Sequence, residues 1–457
     1  MESTNITNSD PFKILSDLCK EPFWNISHLW ALSEPNLGPC VERTVLVWAP
    51  CVLLWACGLP SLLLLKRRLY NPIPWSAVSC TKVMVSVLAL AVVATELAWA
   101  ATAGSQVVPP ADFIAPVVLL ATQVLHISLV LMERRKGQQT SGIIWFYWLL
   151  TLVCGLPQLY TSIIVILRRD RSLPPFLTVT FLVQFLCSVA LFLANCFSDG
   201  LSLTQKFNAS EKQVPRLQAS FLNRLFFFWG GSIVWLGWRR PLTLDDLWDV
   251  EPENTTASLA AQWDAAFSRD GKTAPAEVRE PGRLRPAMVP VSGRQRSVLQ
   301  CLFRIIRWPF LGAGVLCFLA EGSRFLTPQL LSLIISFMTT PEQPAWYGYL
   351  LCALLLASCV LVTLLKNRYF YVMFTQSVRI RSAIMTAVYR KALSLSSAAR
   401  RDSTVGEIVN LMAVDSQCLG DTGIMLWTTV SSPTVILISM VFLWQELGPS
   451  VLARYGD

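Results

Sequence analysis

The stretch GIIWFYWLLTLVCGLPQLYTSIIVIL, residues 142–167, contains no Asp, Glu, Lys or Arg. A helix needs about 20 consecutive apolar residues to cross the hydrocarbon core of a bilayer. This stretch is long enough, so we predict a transmembrane helix here. Four other stretches share its length and its lack of charge: Thr44 to Leu65, Phe176 to Phe197, Ala345 to Leu365 and Thr422 to Trp444.

The composition of the whole chain also indicates a membrane protein, with 53% hydrophobic and 15% charged residues and a mean hydropathy of +0.49. Soluble domains usually carry about 25% charged residues. The two histidines, His28 and His126, belong to no Ser, His and Asp arrangement or metal-ligand spacing, so we predict no catalytic residue and no metal site. Three less regular stretches bring the prediction to eight spans: Val83 to Ala103 with Glu96, Phe113 to Met132, and Phe310 to Phe337 with Glu321 and Arg324.

The charge distribution predicts the orientation of the first span. No secretory signal peptide is evident in the polar first 40 residues. Lys66, Arg67 and Arg68 follow the first span directly, so the positive-inside rule places them in the cytoplasm and the N-terminus outside. The basic loop around residues 168–171 violates the rule, but later helices often follow the orientation set by the first.

Two glycosylation sequons, at Asn5 and Asn25, lie in the segment that we expect outside, so we predict that both are modified. Cys19 and Cys40 lie in the same segment, where a disulfide is permitted but not required. The other cysteines mostly lie within or beside the spans, as small packing residues do.

The spacing of the spans divides the chain into four parts. We predict an extracellular segment (1–43), a five-span membrane domain (44–198), a cytoplasmic linker (199–309) and a three-span region (310–457). In the linker, the aromatic segment Ser220 to Trp238 is expected to lie in the membrane interface or pack against membrane helices. Residues 297–308 predict an amphipathic helix lying on the membrane before the sixth span. A simple buried loop is the alternative for both segments.

The segment Lys366 to Asp421 predicts two helices that project from the membrane. Its first part, residues 369–395, contains no Pro or Gly and continues the seventh span. Thr404 and Glu407 have the spacing of a capping box, which predicts that a second helix starts near Val405. We predict a short turn at residues 414–419, where a cytoplasmic partner could act on the helices.

Several motifs in the later part of the chain resemble ABC transporter subfamily C, the group of the multidrug-resistance-associated exporters. AVYRKAL (387–393) and STVGEIVNLM (403–412) are similar to the first cytoplasmic loop of that subfamily. SFLNRL (220–225), WRRPL (238–242) and DLW (246–248) are similar to its lasso linker. The resemblance implies an all-α integral membrane protein with a five-helix N-terminal membrane domain, a lasso with an elbow helix, and the first three helices of an exporter transmembrane domain.

By resemblance, the full-length relative is an ATP-driven exporter of amphipathic organic anions, such as glutathione, glucuronide and sulfate conjugates. ATP and Mg would bind in domains that normally belong to the same polypeptide. The nearest approach to a Walker A loop, Asp270 to Thr273, has Ala266 where the first glycine is needed. We therefore expect this chain to be an N-terminal portion or truncated isoform, with no cofactor of its own and no transport activity alone.

The resemblance also carries site residues. Tyr369 and Phe370 match an aromatic pair that lines the family's substrate pocket, although both could simply pack the helix bundle. Cys317 stands where the family uses a basic residue for anions. Arg324 could supply that positive charge, unless Glu321 on the same helix face neutralises it. The coupling element that contacts the first ATP-binding domain would comprise Val414, Asp415 and Ser416.

Two other functions compete with transport. One is regulation of a potassium channel by a member of the same subfamily, which would associate stably with a channel subunit. The other is a multi-span receptor, against which the long linker and the long cytoplasmic helices argue. The expected partners are the lipid bilayer and organic anions, without nucleic acid. The expected location is the plasma membrane, with the endoplasmic reticulum or a vacuolar or lysosomal membrane as alternatives.

Overall fold

The computed structural model describes Cys19 and residues 38–67, 70–103, 109–168, 175–200, 212–267, 297–339, 343–395 and 404–448. The predicted glycosylation sites Asn5 and Asn25, and the segment Asp270 to Thr273, lie outside these residues. The described part is helical and contains no strand. It divides into two compact units. The first contains the described residues up to Trp248 and the start of a later helix as far as Gly348, and the second contains the remaining described residues.

Eight helices of the described residues are long and apolar enough to cross a membrane, as predicted. Five of them lie in the first unit. The helices of this unit are α1 (Pro39–Arg43), α2 (Val45–Lys66), α3 (Ala77–Ala103), α4 (Pro110–Arg135), α5 (Gly142–Arg168), α6 (Pro175–Cys196), α7 (Phe221–Leu225) and α8 (Gly231–Arg239).

The five long helices of the first unit close into a ring. Helix α2 contacts α4 and α5, α4 contacts α3, α3 contacts α6, and α6 contacts α5. Six side chains form the apolar core, with Trp148 and Tyr147 the largest of those that are fully buried. Lipid tails are as apolar as these helix faces, so the hydrophobic effect does not drive the helices together; close packing and interhelical hydrogen bonds do. These large, complementary side chains supply that packing.

Buried polar side chains link the ring helices. Trp148 Nε1 donates to His126 Nε2 over 3.1 Å, so that nitrogen must carry the lone pair. The proton of the neutral ring is then on Nδ1, which lies 3.4 Å from Ser86 Oγ. Lys82 Nζ pairs with Asp199 Oδ2 over 3.1 Å. Because a buried charge is costly unless it is paired, this contact fixes the start of α3 to the chain that follows α6.

The structure joins Cys19 and Cys40 by a disulfide, with their Cα atoms 5.6 Å apart. Both cysteines are buried against Ala111 at the start of α4. The segment before α2 is thereby held to the ring.

The first residues of the aromatic linker segment pack against a membrane helix. The Phe221 ring lies 5.4 Å from that of Trp145 and 5.7 Å from that of Phe146, both on α5. A Cβ atom at Gly142 would lie 2.6 Å from Phe221 Cε2, so only glycine leaves room for this ring. Farther along, Trp235 and Trp238 are 55% and 77% exposed. The segment thus divides into a docked part and an exposed aromatic part.

A short turn stabilises the linker after α8. Both carboxylate oxygens of Asp246 accept from Arg240, over 2.6 and 2.9 Å. The backbone N–H and the hydroxyl of Thr243 also donate to Asp246, closing a capping box. The backbone hydrogen bond from Thr243, followed by the hydrogen bond from Arg240, lowers the pKa of Asp246 to about 2.

The helices of the second unit differ widely in length. They are α9 (Thr256–Phe267), α10 (Val298–Arg324), α11 (Leu326–Thr339), α12 (Ala345–Leu393), α13 (Val405–Asn410), a π-helical turn (Leu411–Asp415) and α14 (Ser416–Leu447). Helix α12 continues the seventh span beyond the membrane-spanning length, as predicted. Thr404 caps α13 in the predicted capping box with Glu407.

The predicted separate helix at residues 297–308 is wrong, because these residues are the first turns of α10. The helix passes through Pro309, which removes one backbone donor; membrane helices tolerate this when neighbours satisfy the freed groups. Trp427 Nε1 supports the following turn by donating to the carbonyl of Phe310 over 2.9 Å. Leu302 and Ile306 pack against Ile380 of α12 instead of facing a membrane surface.

Candidate functional site

Three charged side chains meet in the second unit. Arg324 Nη1 lies 3.0 Å from Glu321 Oε2, and Lys366 Nζ lies 2.9 Å from Glu321 Oε1. Arg324 and Glu321 are one turn apart on α10, while Lys366 is on α12. The Glu321 side chain is 9% exposed, whereas those of Arg324 and Lys366 are 58% and 34% exposed. One buried carboxylate therefore shares two cations, and the cluster has a net positive charge.

The sequence predicted two of the three residues in this cluster. It paired Arg324 with Glu321 and left open whether the glutamate neutralises the arginine. Lys366 was missed as a partner, because it is the first residue after an uncharged span and was assigned to the cytoplasmic segment. The signal for it is the register between α10 and α12, which a sequence does not show. With Lys366 included, the positive charge exceeds the negative one.

Tyr369 lies one turn after Lys366 on the same face of α12. It is buried, and its hydroxyl donates to the carbonyl of Ile424 over 2.8 Å and lies 3.3 Å from Thr428 Oγ1. Its ring packs with Cys317 of α10 and Met373. The hydroxyl thus joins α12 to α14, which is a packing arrangement.

Phe370 is only half-buried, and its ring centroid lies 5.2 Å from that of Tyr369. The structure therefore keeps the predicted aromatic pair together. Phe370 is the more accessible member of the pair.

Helices α10 and α12 run in opposite directions with matched layers. Cys317 and Tyr369 share one apolar cluster, and Glu321 and Lys366 form the next layer, about one helical turn farther along. The charged layer and the aromatic layer are therefore neighbours. Cys317 Sγ lies 3.7 Å from Ser431 Oγ of α14. The positive charge of this region comes from Lys366 and Arg324.

The predicted turn at residues 414–419 is wrong. Residues 411–415 form one π-helical turn inside a helix that runs from Val405 to Leu447. Gly420 lies within this helix and allows it to pack closely on α12, because a Cβ atom there would lie 2.7 Å from Ser377 Oγ of α12. Single π turns inside α-helices frequently occur at functional sites.

The predicted coupling residues lie in and beside this π turn. Val414 and Asp415 are exposed, whereas Ser416 is buried and its hydroxyl donates to the carbonyl of Met412. Such a hydrogen bond from serine to the carbonyl four residues earlier often bends a helix. Val414 and Asp415 are thus accessible to a partner, and Ser416 is not.

Comparison with known proteins places this geometry in a family. A family model described as the ABC transporter TMD0 domain matches residues 18–176, and one described as the ABC transporter transmembrane region matches residues 310–452. Mouse ATP-binding cassette sub-family C member 3 is 32% identical over 441 residues, covering 94% of this chain and 29% of that relative. The chain belongs to ABC transporter subfamily C.

Other subfamily C proteins give the same result. The human sub-family C member 3 is 31% identical over 448 residues, and human sub-family C member 2 is 31% identical over 479 residues, covering 97% of this chain and 30% of that relative. The chain thus spans about three tenths of the length of the curated relatives it matches. It is a multi-pass membrane protein of this subfamily. The first four helices of the ring lie in the TMD0 match, which ends at the start of α6, and the charged cluster lies in the transmembrane-region match.

Proposed function

We propose that this chain is the membrane-spanning part of an ATP-driven exporter of amphipathic organic anions, including glutathione, glucuronide and sulfate conjugates. The observation that carries the proposal is the cluster of Glu321, Arg324 and Lys366. Ionisable groups at such positions in membrane helices are costly and usually functional. Two cations around one carboxylate leave a net charge that favours an anion.

The accessible cations and the half-buried Phe370 supply complementary contacts for a conjugate. A guanidinium has five N–H donors and an ammonium group has three, and Glu321 contacts one nitrogen of each. The anionic part of a conjugate would approach Lys366 and Arg324, and its flat organic part would stack near Phe370.

ATP and Mg would act in ATP-binding domains, for which these 457 residues hold no Walker A loop. We propose that such domains contact Val414 and Asp415, and that these residues alone do not transport. The test is ATP-dependent uptake of a labelled glutathione conjugate into inside-out vesicles from cells that express only this chain. No uptake above that of empty vesicles is expected; uptake by the chain alone would contradict the requirement.

Binding tests the anion site separately from transport. The purified chain should bind the labelled glutathione conjugate, and Lys366→Gln, which makes the cluster neutral, should weaken binding about tenfold or more. Lys366→Arg keeps the charge and should keep most of the affinity. Lys391→Gln, at the exposed end of α12, is the matched control. Equal affinities for Lys366→Gln and Lys391→Gln would refute this site.

We also propose the plasma membrane as the location and an external N-terminus. Glycans at Asn5 and Asn25 that resist endoglycosidase H would support both statements. Unmodified sequons would contradict the orientation, and glycans that stay sensitive to the enzyme would indicate retention in the endoplasmic reticulum.

A further inference from the structure

The five-helix ring of the first unit encloses a cavity. Its volume is about 570 Å³, and residues from α1 and from all five ring helices line it. Organic ligands occupy pockets of about 300–1,000 Å³. The cavity is therefore large enough for a small organic molecule or for the head of a lipid. It is separate from the charged cluster of the second unit.

The ionisable side chains of the cavity wall are mainly acidic. Glu42, Glu96 and Asp112 line it, and Arg43 is the one basic residue among the described lining residues. Arg43 Nη1 is already paired with Asp112 Oδ2 over 2.8 Å. No ion pair within the described part of the chain joins Glu42 or Glu96 to a basic side chain. Neither carboxyl group therefore has an ion-pair contact of its own among the described residues, and the cation nearest to Glu42 in sequence, Arg43, is bound to Asp112.

The lining also contains hydrogen-bond acceptors without donors. Gln123 is 1% exposed and Glu42 is 8% exposed, and neither Gln123 Oε1 nor Glu42 Oε1 has a partner among the described residues. Gln184 Oε1, also from the lining, is in the same condition. The second oxygen of Glu42 accepts from Thr161 over 3.3 Å. Buried polar atoms in native proteins are normally satisfied. All three unsatisfied atoms are acceptors, so the missing group is a donor.

Aromatic rings complete the wall. Trp99, Tyr147, Phe181 and Phe185 contribute to the lining. A cation is attracted to the face of such rings, and an apolar chain packs well against them. The wall therefore suits a group that is positively charged, donates hydrogen bonds and carries an apolar tail.

We propose that this cavity binds the primary ammonium group of an amphipathic amine. The ammonium supplies three N–H donors and a positive charge that can pair with Glu42 and Glu96, while its hydrocarbon part lies against the aromatic rings. This ligand class is opposite in charge to the organic anions proposed for the second unit. The amine could be a free molecule or the headgroup of an aminophospholipid, and both present the same chemistry.

The binding experiment uses the full chain in uncharged maltoside micelles, with empty micelles as the blank. The probe is dodecylamine that carries a dansyl group at the far end of its chain, and binding is followed by dansyl fluorescence. We expect saturable binding with one probe per chain, and competition by dodecylammonium. Dodecanoate should not compete, and dodecyltrimethylammonium, which has no N–H, should compete about tenfold less well. Equal competition by dodecanoate, or no saturable binding above the blank, would overturn the proposal.

Variants locate the site. Glu96→Gln should weaken probe binding, and the double substitution Glu42→Gln with Glu96→Gln should weaken it about tenfold or more. Glu253→Gln removes one negative charge from the exposed linker and should change nothing. If the double variant is misfolded by gel filtration, Glu96→Gln and Gln123→Leu replace it. Unchanged affinity in folded cavity variants would place the bound amine elsewhere and refute the assignment.

The source of the ammonium is decided in nanodiscs. Discs of phosphatidylcholine are compared with discs that also contain phosphatidylethanolamine, whose headgroup has a primary ammonium. Loss of probe binding in the second discs would identify a lipid headgroup as the occupant. Unchanged probe binding would identify a free amine, and both results retain an ammonium site in the cavity.

Discussion

The contact between Gly314 and Trp427 predicts the effect of adding a single methyl group. A Cβ atom at Gly314 would lie 2.7 Å from both Cε2 and Cζ2 of the Trp427 indole. The same indole donates to the Phe310 carbonyl over 2.9 Å. Gly314→Ala must therefore either shift the ring or part helices α10 and α14.

The magnitude follows from two costs and one gain. Overpacking a well-filled core costs about 1–3 kcal/mol, and loss of the indole hydrogen bond adds about 1 kcal/mol. Alanine in a helix regains about 1 kcal/mol over glycine. We expect a net destabilisation of about 1–3 kcal/mol for Gly314→Ala. Gly312, two residues earlier in α10, has no atom within 4 Å of the position that an added methyl would occupy, so Gly312→Ala should stabilise slightly.

The assay is thermal unfolding of the purified chain in detergent, read as the midpoint of loss of soluble protein. Unfolding of membrane proteins is often irreversible, so the two variants are compared at one heating rate. Gly314→Ala should melt below the unmodified chain and Gly312→Ala at or above it. Trp427→Leu in the Gly314→Ala background should remove part of the difference. A Gly314→Ala variant as stable as Gly312→Ala would refute the packing argument.

Three other perturbations test the first unit. Gly142→Ala should displace Phe221 and increase cleavage of the linker in limited proteolysis. Gly231→Ala should not, because no atom lies within 4 Å of the added methyl. Equal cleavage of the two variants would contradict the docking of the linker. The pKa of Asp246 is lowered to about 2, so its contribution to the stability of the turn is present above the ordinary pKa of 3.8 and is lost as pH falls through about 2. Asp246→Asn should lose the same contribution at neutral pH, measured as faster hydrogen exchange around residues 240–246. Unchanged exchange would argue against this role. Cys40→Ser should lower the melting midpoint by an amount that corresponds to about 2–4 kcal/mol. Reduction of the unmodified chain should lower its midpoint to the same temperature, and different midpoints would contradict a role of the disulfide.

The eight membrane helices could be predicted because their signal is local. The length and the low charge of a segment decide whether it can cross, and each predicted span lies in a helical stretch, the sixth of them in α10 and α11 together. Helix ends within polar or mixed segments could not be predicted in the same way. Residues 297–308 and 414–419 look like surface elements by composition, yet packing by Ile306 and Gly420 against α12 keeps them in long helices.

The candidate site was partly accessible to sequence reasoning. Arg324 and Glu321 are on one helix, so their pairing follows from the i, i+3 spacing. Lys366 enters from another helix, and its contact depends on the register of two antiparallel elements. The cavity of the first unit was missed for a related reason, since Glu42, Glu96 and Gln123 converge only when five helices close a ring.

The ring of five helices has a consequence for how the chain is made. Successive membrane helices alternate in direction, so a closed ring with an odd number of members must contain one pair that runs the same way, and here it is α2 and α4. Their dipoles lie side by side and give no mutual stabilisation, in contrast to the antiparallel neighbours. The ring closes only when α6 arrives to bridge α3 and α5, so a nascent chain that ends before it leaves the cavity wall open on the side of Glu96. Insertion of the fifth helix is therefore the step that completes this domain during biogenesis.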